Sequence, residues 1–125
     1  SDEVIQNNGT CYLMRMTPQD EGTSARITSA FNQARDDEYA ELLEQCDDLV
    51  RELEKESALG KFTFAELEEN EDELQKLTRW YQRIADRDFF GASLHSRANE
   101  KLDQCRARLE SFSEAVYHQS DADAR

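Results

Sequence analysis

Four sets of side chains in this chain have the types and spacing to do chemistry. Cys46 and Cys105 fall on the apolar stripes of two segments with helical periodicity, which makes them a candidate thiol pair. A reactive cysteine needs its pKa lowered by positive charge or a helix N-terminus. Arg106 and Arg108 flank Cys105, but Asp47 and Asp48 follow Cys46, so the plainer reading is two small buried hydrophobes. Glu114 and His118 stand at i,i+4. Carboxylate-bridged two-metal bundles use Glu-x-x-His from several helices; this spacing is off by one, and no metal or other cofactor is expected. The acidic run Glu66–Glu73 could hold a cation or mimic a polyanion, but hard cations need convergent oxygens. A solvated helix N-terminus stabilised by the helix dipole explains the run more simply. Lys76, Arg79 and Arg83, continued by Arg87, form a basic stripe. It suits an anion, such as an oxyanion effector, or pairing with Glu41, Glu44 and Glu52 on a neighbouring helix. His95 is expected to cap a helix or face solvent. There is no nucleophile–base pair, Gly-rich phosphate loop or nucleotide fingerprint, so no catalytic residue is named and no enzyme is expected.

These groups need elements to position them, and composition bounds what those are. The 125 residues carry 15 Lys and Arg against 28 Asp and Glu, a net charge of −13. That charge opposes binding a polyanion, whose affinity comes mostly from Lys and Arg. No apolar stretch is long enough to span a bilayer, and no signal-peptide pattern is present. The three cysteines have no metal-finger spacing, and reduced thiols in the cytoplasm are expected. The chain opens on Ser1 without an initiator Met and is expected to be cut from a longer protein.

Pro18 and the four glycines are the only breakers. Thr10–Met16 follows an Asn-Asn-Gly turn signal and suggests a short strand, an orphan with no partner of quality in the chain. Thr17-Pro18 marks a helix start with Pro at N1. From about Ser24 to Leu59, apolar residues recur in steps of three and four, from Ile27, Ala30, Phe31 and Ala34 through Tyr39, Leu42 and Cys46 to Leu53. Asp36-Asp37 interrupts that stripe and suggests a kink or two successive helices. Gly60 is placed as a C′ cap. Thr63 to Glu66 has capping-box form, with Phe62 and Leu67 as a hydrophobic staple. The second helix then runs to Asp86. The adjacent Phe89 and Phe90 before Gly91 are expected to plug the helix ends. Ala98, Leu102, Cys105, Leu109, Phe112 and Val116 form a heptad-like seam on a third helix, about Ser93 to His118. The expected fold is mainly α: an antiparallel three-helix bundle over 18–118, an N-terminal segment 1–17 with the orphan strand, and a disordered tail at 119–125. The first helix is too long for the other two, and its overhang calls for a preceding domain, the strand or a second subunit.

The string FTFAELEENEDELQKL (Phe62–Leu77), followed by Arg79-Trp80 and by RDFFGA at Arg87–Ala92, closely resembles the N-terminal region of the ChrB family of chromate-resistance regulatory proteins. ARDDEYAELL at Ala34–Leu43 and the later Cys105, Phe112 and Ala115-Val116-Tyr117 are similar too. The resemblance implies a chromate-responsive transcriptional regulator of a chromate efflux transporter. It also implies a winged-helix region and a small α/β region ahead of the helical part, and a separate C-terminal domain in longer members. The orphan strand would be the last of that α/β region. DNA would be contacted by the winged-helix region, not by this segment. Tyr39, Glu66, Trp80, Arg87, Asp88, Phe89 and Phe90 match the family motifs and are the expected shared structural core. The expected role is a dimerisation and signal-coupling module, a homodimer with a chromate or other oxyanion effector and no membrane partner. The alternatives are a thiol- or metal-dependent detoxification enzyme and a generic helical adaptor.

Overall fold

The computed structural model describes the backbone of residues 2–7, 10–15 and 18–123 and the side chains of residues 22–123. Strand β1 (Asp2–Asn7) pairs antiparallel with β2 (Thr10–Arg15), in a register running from Asp2 opposite Arg15 to Asn7 opposite Thr10. The strand expected to be an orphan therefore has a partner within the chain. Sequence reading missed β1 because Val4 and Ile5 are its only apolar residues. In the sequence Asn8-Gly9 separates the two segments, a dipeptide favoured between paired strands. The Met16 end of the expected strand and the Thr17 cap lie outside the described residues.

Three helices follow: α1 (Pro18–Ala58), α2 (Phe64–Asp86) and α3 (His95–Asp123). Each packs against the other two, and the fold is a mainly α three-helix bundle. The α3 seam is buried throughout, from Ala98 to Val116, as its spacing requires. On α1 the buried row begins only at Tyr39 and continues through Leu42, Cys46, Leu49, Val50 and Leu53. Leu67, Leu77, Tyr81 and Ile84 complete the core from α2. Before Tyr39, the described residues of α1 are exposed or half-buried. Ile27 is 59% exposed there, although the stripe begins with it.

Gly60 ends α1 as expected. Its φ is 69°, Lys61 N–H donates to the Glu56 carbonyl at 2.9 Å and Gly60 N–H to that of Ser57 at 3.1 Å, a Schellman closure. Thr63 caps α2, its Oγ1 accepting from Glu66 N–H at 3.2 Å. Phe62 stacks on Phe112 of α3, ring centroids 5.6 Å apart. Two expectations need correction. Asp36-Asp37 does not interrupt α1, which is one continuous helix. The tail from Ser120 is helical as far as Asp123, because nothing between Gly91 and the end of the chain is Gly or Pro to stop α3.

Candidate functional site

The polar groups of the structure converge where the turn between α2 and α3 meets the middle of α1. Arg87 closes α2, and its backbone N–H reaches the Ile84 carbonyl. Asp88 follows and is used twice. Its Oδ1 accepts from Ala92 N–H at 2.7 Å, closing the turn on itself. Its Oδ2 accepts from the Tyr39 hydroxyl at 3.0 Å, tying the turn to the fully buried ring of α1. Gly91, at φ 72°, lets the chain reverse into α3.

Asp36, one turn before Tyr39, caps α3 from α1. Its Oδ2 accepts from Ser93 Oγ at 2.7 Å and its Oδ1 from Leu94 N–H at 2.9 Å. The residue that breaks the apolar stripe is thus a distant helix cap. Its partners lie 57 and 58 residues away, beyond the reach of any local pattern. Glu38 receives Arg87 at 2.8 Å and its helical neighbour Arg35 at 2.6 Å. Burial, then the hydrogen bond to Asp88, pushes the Tyr39 hydroxyl well above its ordinary range, so it remains a proton donor.

Behind this clamp sits an aromatic group. The Tyr81 hydroxyl and His95 Nε2 are 3.0 Å apart, and the imidazole meets the Tyr39 ring edge to face at 5.8 Å. His95 therefore neither caps α3 nor simply faces solvent; it is half-buried and bonded to α2. On the outer side, Phe31 of α1 packs against Phe89 at 5.8 Å and Phe90 at 5.5 Å. The two phenylalanines do not plug the helix ends, being 63% and 49% exposed. Ala92, 5% exposed, takes the inward position.

Of the motif residues, Tyr39, Arg87, Asp88, Phe89 and Phe90 come together at this clamp. Glu66 is one turn into α2 at the opposite end, and Trp80 lies half-buried against the core. Lys76 and Arg83 share a shallow cleft with Trp80, Gln45, Glu73 and Leu77, while Arg79 lines a different one beside Arg106. The basic stripe is thus split between two faces. Among the described residues none of it pairs with Glu41, Glu44 or Glu52, but its last member, Arg87, does reach α1 at Glu38; Lys101 and Arg108 of α3 are the other cations that pair with α1.

Cys46 and Cys105 are free thiols buried against each other, with Cys105 Sγ donating to the Cys46 carbonyl at 3.5 Å. Close contact with the Cys105 thiol, then burial, pushes the Cys46 thiol up, and the same contact lowers Cys105, so the two titrate as one pair. Glu114 and His118 are exposed on α3, and no group of three metal-ligating side chains converges among the described residues. A buried pair that the sequence did not disclose lies at the other end of the bundle. Glu56 and Asn70 are each 4% exposed, and Asn70 Nδ2 donates to Glu56 Oε2 at 2.7 Å.

The two strings ARDDEYAELL and RDFFGA, far apart in sequence, thus meet as the two halves of one clamp. No helix among the described residues is long and apolar enough to cross a membrane. No curated protein and no solved structure matches the chain. A model of the family described as Protein ChrB, N-terminal matches residues 1–123, hairpin and bundle together. The chain therefore belongs to the ChrB N-terminal family and is part of a chromate-resistance protein.

Proposed function

We propose that this chain is the dimerisation and signal-coupling module of a chromate-responsive transcriptional regulator, and not an enzyme. The clamp supports this reading best. Through Asp36, Glu38 and Tyr39 it fixes the middle of a 41-residue helix to the turn that joins the other two. A shift of α2 against α3 would be passed to α1, which from the clamp would carry it about 30 Å to either end at ~1.5 Å per residue. The anion that biases this equilibrium is an oxyanion of the chromate type, and Lys76 and Arg83, which share one cleft and have no ion-pair partner on α1 among the described residues, are the cations to receive it. DNA contact belongs to a winged-helix region other than these residues, since a charge of −13 opposes a polyanion. The buried thiols fit a reduced, cytoplasmic setting.

Thermal melting tests the sensing step. Chromate at millimolar concentration is expected to raise Tm, and sulfate at the same ionic strength is not. Equal shifts with both ions, or none with either, would remove sensing from this chain.

A further inference from the structure

We infer that the N-terminal half of α1, with Phe89 and Phe90, is the surface on which a second copy of this chain docks, the two α1 helices crossing antiparallel about Ile27. The proposal rests on the dimer reading above and specifies its interface.

The overhang is a helix without a support. No described residue of α1 before Tyr39, from Gly22 to Glu38, is buried, yet the helix begins at Pro18. Gly22, Thr23, Ser24, Thr28 and Ser29 are poor or middling helix formers. Such a segment holds its helical form through packing of an apolar face more than through propensity. That face exists. Ser24, Ile27, Phe31 and Ala34 recur at helical spacing, and Phe89 and Phe90 widen the stripe beside Phe31. Large apolar side chains exposed together mark an interaction site.

Charge selects the occupant. The segment from Pro18 to Arg35 holds the acids Asp20 and Glu21 and the bases Arg26 and Arg35, and so is neutral. The whole net charge of −13 therefore lies elsewhere on the chain. A second copy is repelled by the other faces and met without repulsion here. The face is also self-complementary. In a two-fold antiparallel pairing centred between Ile27 and Thr28, Phe31 of each copy stands against Ser24 of the other, large on small. Arg35 then stands at the register position of Asp20, opposite in sign. Residues beside a two-fold axis meet their own counterparts, so Ile27 would touch Ile27.

The test is self-crosslinking combined with sedimentation. In a Cys11→Ser background, Ile27→Cys is expected to form a covalent dimer under mild oxidation. Leu59→Cys, equally exposed at 59% but at the far end of α1, is not. The unmodified chain should sediment as a dimer at tens of micromolar. Phe89→Glu should sediment as a monomer with an unchanged helical signal by circular dichroism. A dimer that Ile27→Cys fails to trap overturns this interface and leaves the dimer reading standing. A wild-type monomer overturns both, without touching the chromate test. A monomer that dimerises only when residues 1–16 are removed gives the face to the chain's own hairpin and overturns the proposal.

Discussion

Asp88 accepts two hydrogen bonds that serve different ends, one shaping the turn and one holding it to α1. Hydrogen bonds to a charged acceptor contribute roughly 1.5–3 kcal/mol. Asp88→Ala should therefore lower unfolding stability by about 2 kcal/mol, and Tyr39→Phe by about 1 kcal/mol. A double-mutant cycle in urea is expected to return a coupling of about 1 kcal/mol; strictly additive losses would show that the two side chains do not interact. A second residue-scale prediction concerns pH. Burial, opposed by the Asn70 bond and reinforced by Glu66 and Glu52, lifts the Glu56 carboxyl from its ordinary 4.5 to about 7. Between those values the folded state holds a proton that the unfolded state has released. Stability from this group is thus fully present below about pH 4.5 and is lost as pH rises through about 7. Glu56→Gln keeps an acceptor for Asn70 and removes the charge. It should raise Tm at pH 8, by up to roughly 3 kcal/mol of stability, with little effect at pH 5. Equal melting of the two proteins at pH 8 would show that Glu56 is not an uncompensated buried charge there.

At the scale of elements, the helices are held by their ends. Gly91 has positive φ, and a methyl built on it would meet nothing within 4 Å, so its substitution is a test of backbone strain alone. Gly91→Ala should lower stability by about 1 kcal/mol, and Thr63→Ala, which removes a helix cap, by about 1 kcal/mol. If Gly91→Ala melts as wild type, the turn has another conformation open to it. These two positions were legible in the sequence, because capping and left-handed backbone leave local signatures. The α3 seam was legible for a similar reason, since its burial follows from a period of one helix. The clamp was not. Asp36 looks like a fault in the α1 stripe until Ser93 and Leu94 are placed against it, and that contact depends on how the bundle closes. Phe89 and Phe90 misled in the opposite sense: apolar side chains before a glycine suggest a plug, but the smaller Ala92 fills that position and Phe31 draws the rings outward. Glu56 escaped notice because a carboxylate at a core position has no apolar signal, and Asn70, its partner, sits within an acidic run.

For the whole molecule, the charge of −13 and the ion pairs work against each other, and salt separates them. Among the described residues, the pairs between helices or to the turn are Arg87 with Glu38, Lys101 with Asp47 and Arg108 with Glu54; the others lie within one helix. Surface pairs of this kind contribute roughly 0–1 kcal/mol each. Opposing them is the mutual repulsion of the excess acids, dense on α2 between Glu66 and Glu73 and on the bundle half of α1. Those charges are mostly exposed, and a Debye length of about 10 Å at 0.1 M salt screens neighbours beyond one helix diameter. Compaction brings all of them within a few such lengths, while each favourable pair is a single local contact. Repulsion is therefore the larger sum, and raising sodium chloride from about 0.02 to 0.5 M should raise Tm by several degrees. A fall in Tm over that range would mean that the three linking pairs, not the excess charge, set the electrostatic balance. The same screening should leave the α1 overhang unaffected, because it carries no net charge to screen. Sedimentation across the salt series is expected to show dimerisation strengthening as the rest of the two copies cease to repel.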